Sequence, residues 1–188
     1  MLFRYSRLLT VTLPGVTPAK TYPGGEVVNE IFTLKGSQFL QLTNFGYPDT
    51  RALIFGRDRA FFMASANPLG TNPTENCQLF SINLLHEELR QLTRFHDEGR
   101  VNVGCNGDTG IAGAACTTAG GSQDRKTGFI SFGSQCDPFG RNPYGEQIFS
   151  IRPDGSGLRQ ISSFRGREFL PDGSLHVELG GPTAQAFN

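Results

Sequence analysis

Three stretches of the 188-residue chain echo one another, and such self-similarity constrains a fold more tightly than any single motif. Gln78-Leu79-Phe80-Ser81-Ile82 runs on to Leu89-Arg90-Gln91-Leu92-Thr93-Arg94-Phe95. Gln147-Ile148-Phe149-Ser150-Ile151 runs on to Leu158-Arg159-Gln160-Ile161-Ser162-Ser163-Phe164. The two align without a gap, 78–95 on 147–164, with 8 of 18 positions identical. Glu30-Ile31-Phe32-Thr33-Leu34, followed by Gln41-Leu42-Thr43-Asn44-Phe45, is a third copy with a shorter middle.

Each copy reads as an antiparallel hairpin. In Gln147–Ile151 apolar side chains fall on both faces, the pattern of a sheet stacked between neighbouring sheets. Pro153-Asp154-Gly155 supplies a preset φ, a self-bonding side chain and a residue free to take positive φ, so a tight turn is expected there. In the first copy the turn shrinks to Lys35-Gly36-Ser37. The second copy is locally ambiguous, because Leu85, Leu89 and Leu92 have the spacing of an amphipathic helix. The matching stretch of the third copy holds Pro153, Gly155 and Gly157, which a helix interior does not tolerate. The register of the repeat therefore predicts strand–turn–strand, with at most one helical turn around 84–88.

The echo extends upstream. Ala60–Ser65 and Thr127–Ser134 are both aromatic-rich strands, and Asn67-Pro68-Leu69-Gly70-Thr71-Asn72-Pro73 matches Asp137-Pro138-Phe139-Gly140-Arg141-Asn142-Pro143 at an offset of 70. With Arg51–Phe55 as a further strand, one unit is four short strands, at about 51–56, 60–66, 78–83 and 89–93. Four-stranded antiparallel units in series are the blades of a β-propeller. Phe32 and Phe80 lie 48 residues apart, a blade period, whereas Phe80 and Phe149 lie 69 apart. The excess is read as an insertion at 99–128, rich in Gly, Ala and Thr. The expected organisation is an incomplete first blade at 1–46, a second at 47–96, a third at 97–166, and a C-terminal hairpin and tail at 167–188. The expected fold is all-β: a partial propeller of about three four-stranded antiparallel blades, too few to close a ring alone.

Composition agrees with short strands and many turns. Charged residues are 18% of the chain, there are 24 glycines and 16 phenylalanines, and 17 basic residues balance 17 acidic ones. That balance, with no basic stripe interleaved with aromatics, argues against nucleic acid. No apolar run reaches the length of a membrane span, and Met1–Leu9 is read as a half-buried strand rather than a convincing signal peptide. Cys77, Cys105, Cys116 and Cys136 permit three full pairings. Cys105 and Cys116 share the Gly-rich loop and would staple it in an oxidising compartment; free thiols are the alternative.

These residues resemble the WD40-like, or PD40, repeat of TolB-type β-propellers. The resemblance rests on the aromatic strand Phe129–Phe132, the Gln147–Ile151 strand, the Pro153–Gly157 turn and the Leu158–Ser162 strand, and it covers roughly 30–166. The Pro-x-Gly-x-Asn-Pro loops at 67–73 and 137–143 also look like loops of that family. The chain departs from the family in blade number, since TolB-like propellers close with six or more. The resemblance implies a C-terminal portion of such a propeller and a periplasmic or secreted setting.

No nucleophile elbow, Walker loop, Cys-x-x-Cys or His-Glu-x-x-His is present. His86-Glu87-Glu88-Leu89-Arg90 starts like a zinc motif but has Arg where the second His must stand, and is read as a solvated turn. His96-Asp97-Glu98 is read as a linker and His176 as a surface position. Asp137 and Asn142 offer oxygens of the kind Ca²⁺ takes, but too few carboxylates surround them, so no metal or cofactor is expected. Repetition puts the two loops on one rim, where Leu69, Asn72, Asp137, Phe139, Asn142 and Tyr144 are the expected partner-binding residues. Arg90-Gln91 and Arg159-Gln160 recur and are read as bracing one blade against the next rather than holding a polar ligand. The leading expectation is a non-enzymatic scaffold that binds a protein partner or further blades, with self-association through open sheet edges as a corollary. The alternative is a fragment of a propeller hydrolase or lactonase whose active site lies on missing blades or the channel axis.

Overall fold

A computed structural model of the chain describes residues 7–19, 27–35, 37–56, 58–95, 105, 116, 121–140, 147–163, 167–169 and 175–178. Three antiparallel sheets follow one another along it. The first holds β1 (Arg7–Leu13), β2 (Val28–Lys35) and β3 (Gln38–Gln41) in that order. The second holds β4 (Arg51–Phe55), β5 (Arg59–Ala64), β6 (Gln78–Asn83) and β7 (Leu89–Gln91). The third holds β8 (Gly121–Gln123), β9 (Ile130–Ser134), β10 (Gln147–Ile151) and β11 (Arg159–Gln160). A hairpin of β12 (Arg167–Phe169) and β13 (Leu175–Glu178) ends the described chain. No helix occurs among the described residues, and no sheet is closed, so the fold is a partial propeller of blade-like sheets. Residues 84–92 form a turn and strand β7, as the repeat register requires: Asn83 Oδ1 accepts from the Leu85 and His86 amides.

The letters that repeat in the sequence build one hydrogen-bonded latch three times. In the second blade the Thr93 hydroxyl donates to Gln78 Oε1 at 2.8 Å and accepts from the Leu79 amide at 2.8 Å. Gln78 Oε1 also accepts from the Phe95 amide, and Gln91 Nε2 donates to Thr93 O. In the third blade Ser162, Gln147, Ile148 and Gln160 make the same contacts, and in the first blade Thr43, Glu30, Ile31 and Gln41 do. The side-chain oxygen takes the place of a ladder carbonyl, so the outer strand stops there and the chain turns to the next blade. Glu30 and Gln78 differ in their further partners. The Glu30 carboxylate, which can only accept, receives the amides of Phe45 and Gly46; the Gln78 amide nitrogen donates to Asn72 Oδ1 and Phe95 O.

Two apolar cores form between blades because the strands alternate. On β5, Ala60, Phe62 and Ala64 face the first blade, whereas Phe61 and Met63 face the third. The phenylalanine that ends each of the first two latches enters the next blade. Phe45 lies 5.9 Å from Phe62 and 6.0 Å from Phe80, which stack at 5.7 Å. Phe95 repeats the arrangement against Phe132 and Phe149 at 6.3 and 5.6 Å. Aromatic pairs of this kind contribute about 0.5–1.5 kcal/mol beyond area burial.

The segment between the second and third blades departs from expectation twice. Strand β8 lies inside the stretch 99–128 read as an insertion. The offset of 70 continues upstream of the loops, from Arg51 at the start of β4 to Gly121 at the start of β8; Gly-Ser-Gln carries no apolar alternation to betray a strand. Cys105 and Cys116 are not bonded to each other. Cys77 pairs with Cys116 and Cys105 with Cys136, with Cα–Cα separations of 5.3 and 4.7 Å. Cys77 precedes β6 and Cys136 follows β9, and all four cysteines sit in the core between these blades. The inserted loop is therefore tied to both blades, and its own two cysteines reach outward rather than toward each other.

Candidate functional site

The two Pro-x-Gly loops are built alike. The Gly70 amide donates to Asn67 O at 3.3 Å and the Gly140 amide to Asp137 O at 3.4 Å, with φ of 69° and 63° at the glycines. Positive φ there favours glycine, and the preceding proline fixes the turn. The residue between proline and glycine is thereby held at the tip: Leu69 is 44% exposed and Phe139 is 42% exposed. Phe139 also leans on its own blade, with its ring 6.4 Å from Phe149.

Asn72 is not available to a partner. It is buried, its amide nitrogen donates to Ser65 O, Ala66 O and Asn76 O, and its oxygen accepts from Gln78. This corrects the expectation that it binds: four hydrogen bonds fasten the loop to the latch instead. Asp137 is half-buried. Asn142 and Tyr144 lie outside the described residues, as does His96-Asp97-Glu98.

Beside Leu69 a cleft of about 270 Å³ runs between the loop, the outer strand β7 and the β10–β11 turn. Its wall is Leu69, Thr71, Gln91, Arg94 and Asp154, with Leu89 and Leu92 below. The Thr71 hydroxyl donates to Gln91 Oε1 at 2.6 Å, joining loop to strand. Gly155 closes the far side at φ 87°; a Cβ there would stand 3.2 Å from Leu92 O. Thr71, Arg94 and Asp154 were not singled out by sequence. Only the recurrence of the turn that brings Asp154 against Leu92 would have pointed to them.

Glu88 and Asp154 lie in the β6–β7 and β10–β11 turns, at the other ends of their hairpins from the Pro-x-Gly loops, and both are held toward the carboxylate form. Glu88 bridges Arg90 and Arg59, each at 2.7 Å, and the hydrogen bond from Arg90 holds its carboxyl below the usual range. The backbone amide of Ser156 does the same for Asp154. Arg159 and Arg152 lie over the Phe129 ring at 5.3 and 5.0 Å. The recurrent arginines thus brace their own blades, which corrects the expectation that they brace one blade against the next, and Arg94 lines the cleft outside these pairs. The arrangement offers an apolar floor, a cation and hydrogen-bonding edges, which suit an extended segment of another protein.

Elsewhere Asp49, Cys77 and Cys116 bring donor atoms within 4.8 Å of one another. The two sulfurs are joined as a disulfide, which removes them as thiolate ligands. No helix among the described residues is long and apolar enough to cross a membrane.

No family model and no curated protein matches the chain. Among solved structures it is similar to TolB from Acinetobacter baumannii, with 15% identity, 82% of this chain and 33% of that chain covered, and a TM-score of 0.46. The chain thus spans about a third of that protein's length.

Proposed function

We propose that the chain is a segment of a TolB-type propeller with WD40-like repeats that works as a protein-interaction scaffold through its rim loops. The observation that carries the reading is the pair of equivalent tips, Leu69 and Phe139, exposed on turns closed by the Gly70 and Gly140 amides, the first of them also locked by Asn72. Apolar side chains held rigidly in solvent lose little entropy on binding, which is what an interface anchor requires. The cleft beside Leu69 extends the surface, and Arg94 favours a partner segment with an acidic residue next to an apolar one.

The test compares the disulfide-bonded chain with a Leu69→Ser/Phe139→Ser variant as bait in extracts of the producing cells. Quantitative mass spectrometry reads which proteins each retains. At least one protein held by the natural chain is expected to fall about tenfold or more with the variant, as loss of anchor residues worth ~1.4 kcal/mol or more implies. Equal retention by two baits with the same thermal unfolding would defeat the rim reading.

A further inference from the structure

Equivalent positions of the three blades show which faces are built to be covered. In the second blade Phe62, Ala64, Phe80 and Ile82 are buried against the first blade, with Leu89 half-buried beside them. Strand register puts Leu9, Val11, Phe32, Leu34 and Phe39 at those positions of the first blade: Leu9 opposes Phe32 as Phe62 opposes Phe80, and Phe39 opposes Leu34 as Leu89 opposes Ile82. The whole set is apolar, yet four members are only half-buried and Phe39 is 61% exposed. This leading face has the composition of an interblade core and no blade against it among the described residues.

The opposite end carries the complement. What covers the leading face of a blade comes from the blade before it: Ile31, Leu42 and Phe45 onto the second, and Leu79, Leu92 and Phe95 with Phe61 and Met63 onto the third. In the third repeat Ile148 and Ile161 stand at the positions of Leu79 and Leu92, and the sequence continues to Phe164 as it does to Phe95. Leu92 is 8% exposed because the next blade's turn lies on it, whereas Ile161 is 60% exposed. Register places Ser131 and Gly133 where the second blade has Phe61 and Met63 and the first has Leu8 and Thr10, so this face is flatter than that of the second blade.

We infer that the leading face of the first blade docks the trailing face of the third blade of a second copy, head to tail, repeating the two interfaces already inside the chain. The occupant is a second copy because this chain carries, in Ile148 and the exposed Ile161, the counterparts of residues that cover that face twice within it. Such a contact is heterologous: the two surfaces differ, so it builds rings or open chains rather than a face-to-face dimer. It uses sheet faces rather than sheet edges and does not depend on the rim reading, since Leu69 and Phe139 take no part.

The test is the solution mass by light scattering across a wide concentration range, for the natural chain, Phe39→Glu and Ile161→Glu. Both positions are exposed, so the fold is expected to survive, and cooperative thermal unfolding checks that it does. The natural chain is expected to reach at least twice its 20.5 kDa, and each variant alone to stay monomeric. Mixed in equal amounts, the variants should associate again, because each keeps the face that the other has lost. A natural chain monomeric at every concentration overturns the inference. So do variants that associate as the natural chain does, or a mixture that stays monomeric.

Discussion

Glu30, Gln78 and Gln147, the polar residues that start the three latches, are as buried as the core phenylalanines, and hydrogen bonding rather than hydrophobicity explains why they recur. Gln78 makes the point, with an oxygen that only accepts, a nitrogen that only donates, and partners sorted accordingly. Gln78→Glu would set a carboxylate oxygen against Asn72 Oδ1 and Phe95 O, both acceptors. A buried donor lost and a charge placed among acceptors is expected to cost about 2–4 kcal/mol, read as a drop in thermal midpoint. The deficit should shrink as pH falls toward 4, since a protonated carboxyl regains a donor and its pKa in the folded state is raised. Glu30→Gln should cost about 1 kcal/mol, because the Gln oxygen in the place of Oε1 still accepts from both the Phe45 and Gly46 amides, and only the bond from the Thr43 hydroxyl, which would now face the amide nitrogen, is compromised. Equal effects of the two substitutions would contradict the sorting of partners.

At the scale of elements, most of what the strands do was legible because it is local. Alternation, Pro-Asp-Gly and the two-residue shortening of the first hairpin each act over a few residues, and the β6–β7 turn followed from its sister copy. The cysteine partners were illegible for the opposite reason. Cys77 and Cys136 lie in different blades, and only the packing of those blades brings both to the inserted loop. The bonds close separations of 39 and 31 residues and interlace, 77 with 116 and 105 with 136. Chain entropy assigns about 3–4 kcal/mol to each, less than twice that for both, since each loop is already shortened by the other. The chain should show no reactive thiol, folded or denatured, until a reductant is added, and peptide mapping without reduction should recover the two crossed links. Reduction with a phosphine should lower the thermal midpoint by many degrees. A Cys105–Cys116 peptide in that map would show that the loop staples itself and leaves the blades free.

For the whole molecule, the repeat predicted how many sheets there are but not how unlike their surroundings would be. Among the described residues the second blade is covered on both faces, whereas none covers the leading face of the first or the exposed Ile161 of the third. Sequence hid this difference because Leu9, Phe32 and Phe39 are ordinary core letters, and burial depends on what lies opposite. The same limit applied to the rim: Leu69 and Phe139 were legible as loop tips, while Asn72 looked alike on paper and turned inward to the latch. Local opening costs least where few apolar contacts must break. In dilute solution, amide exchange should therefore be slowest in β5 and β6 and faster by an order of magnitude or more in β2 and β3. Raising the concentration should slow exchange in β1, β2 and β3 but not in the strands of the second blade, as a covering face arrives from another copy. Uniform protection of the first and second blades at every concentration would mean that the apolar leading face is already closed, and the gradient from a twice-covered centre to half-covered ends would not exist.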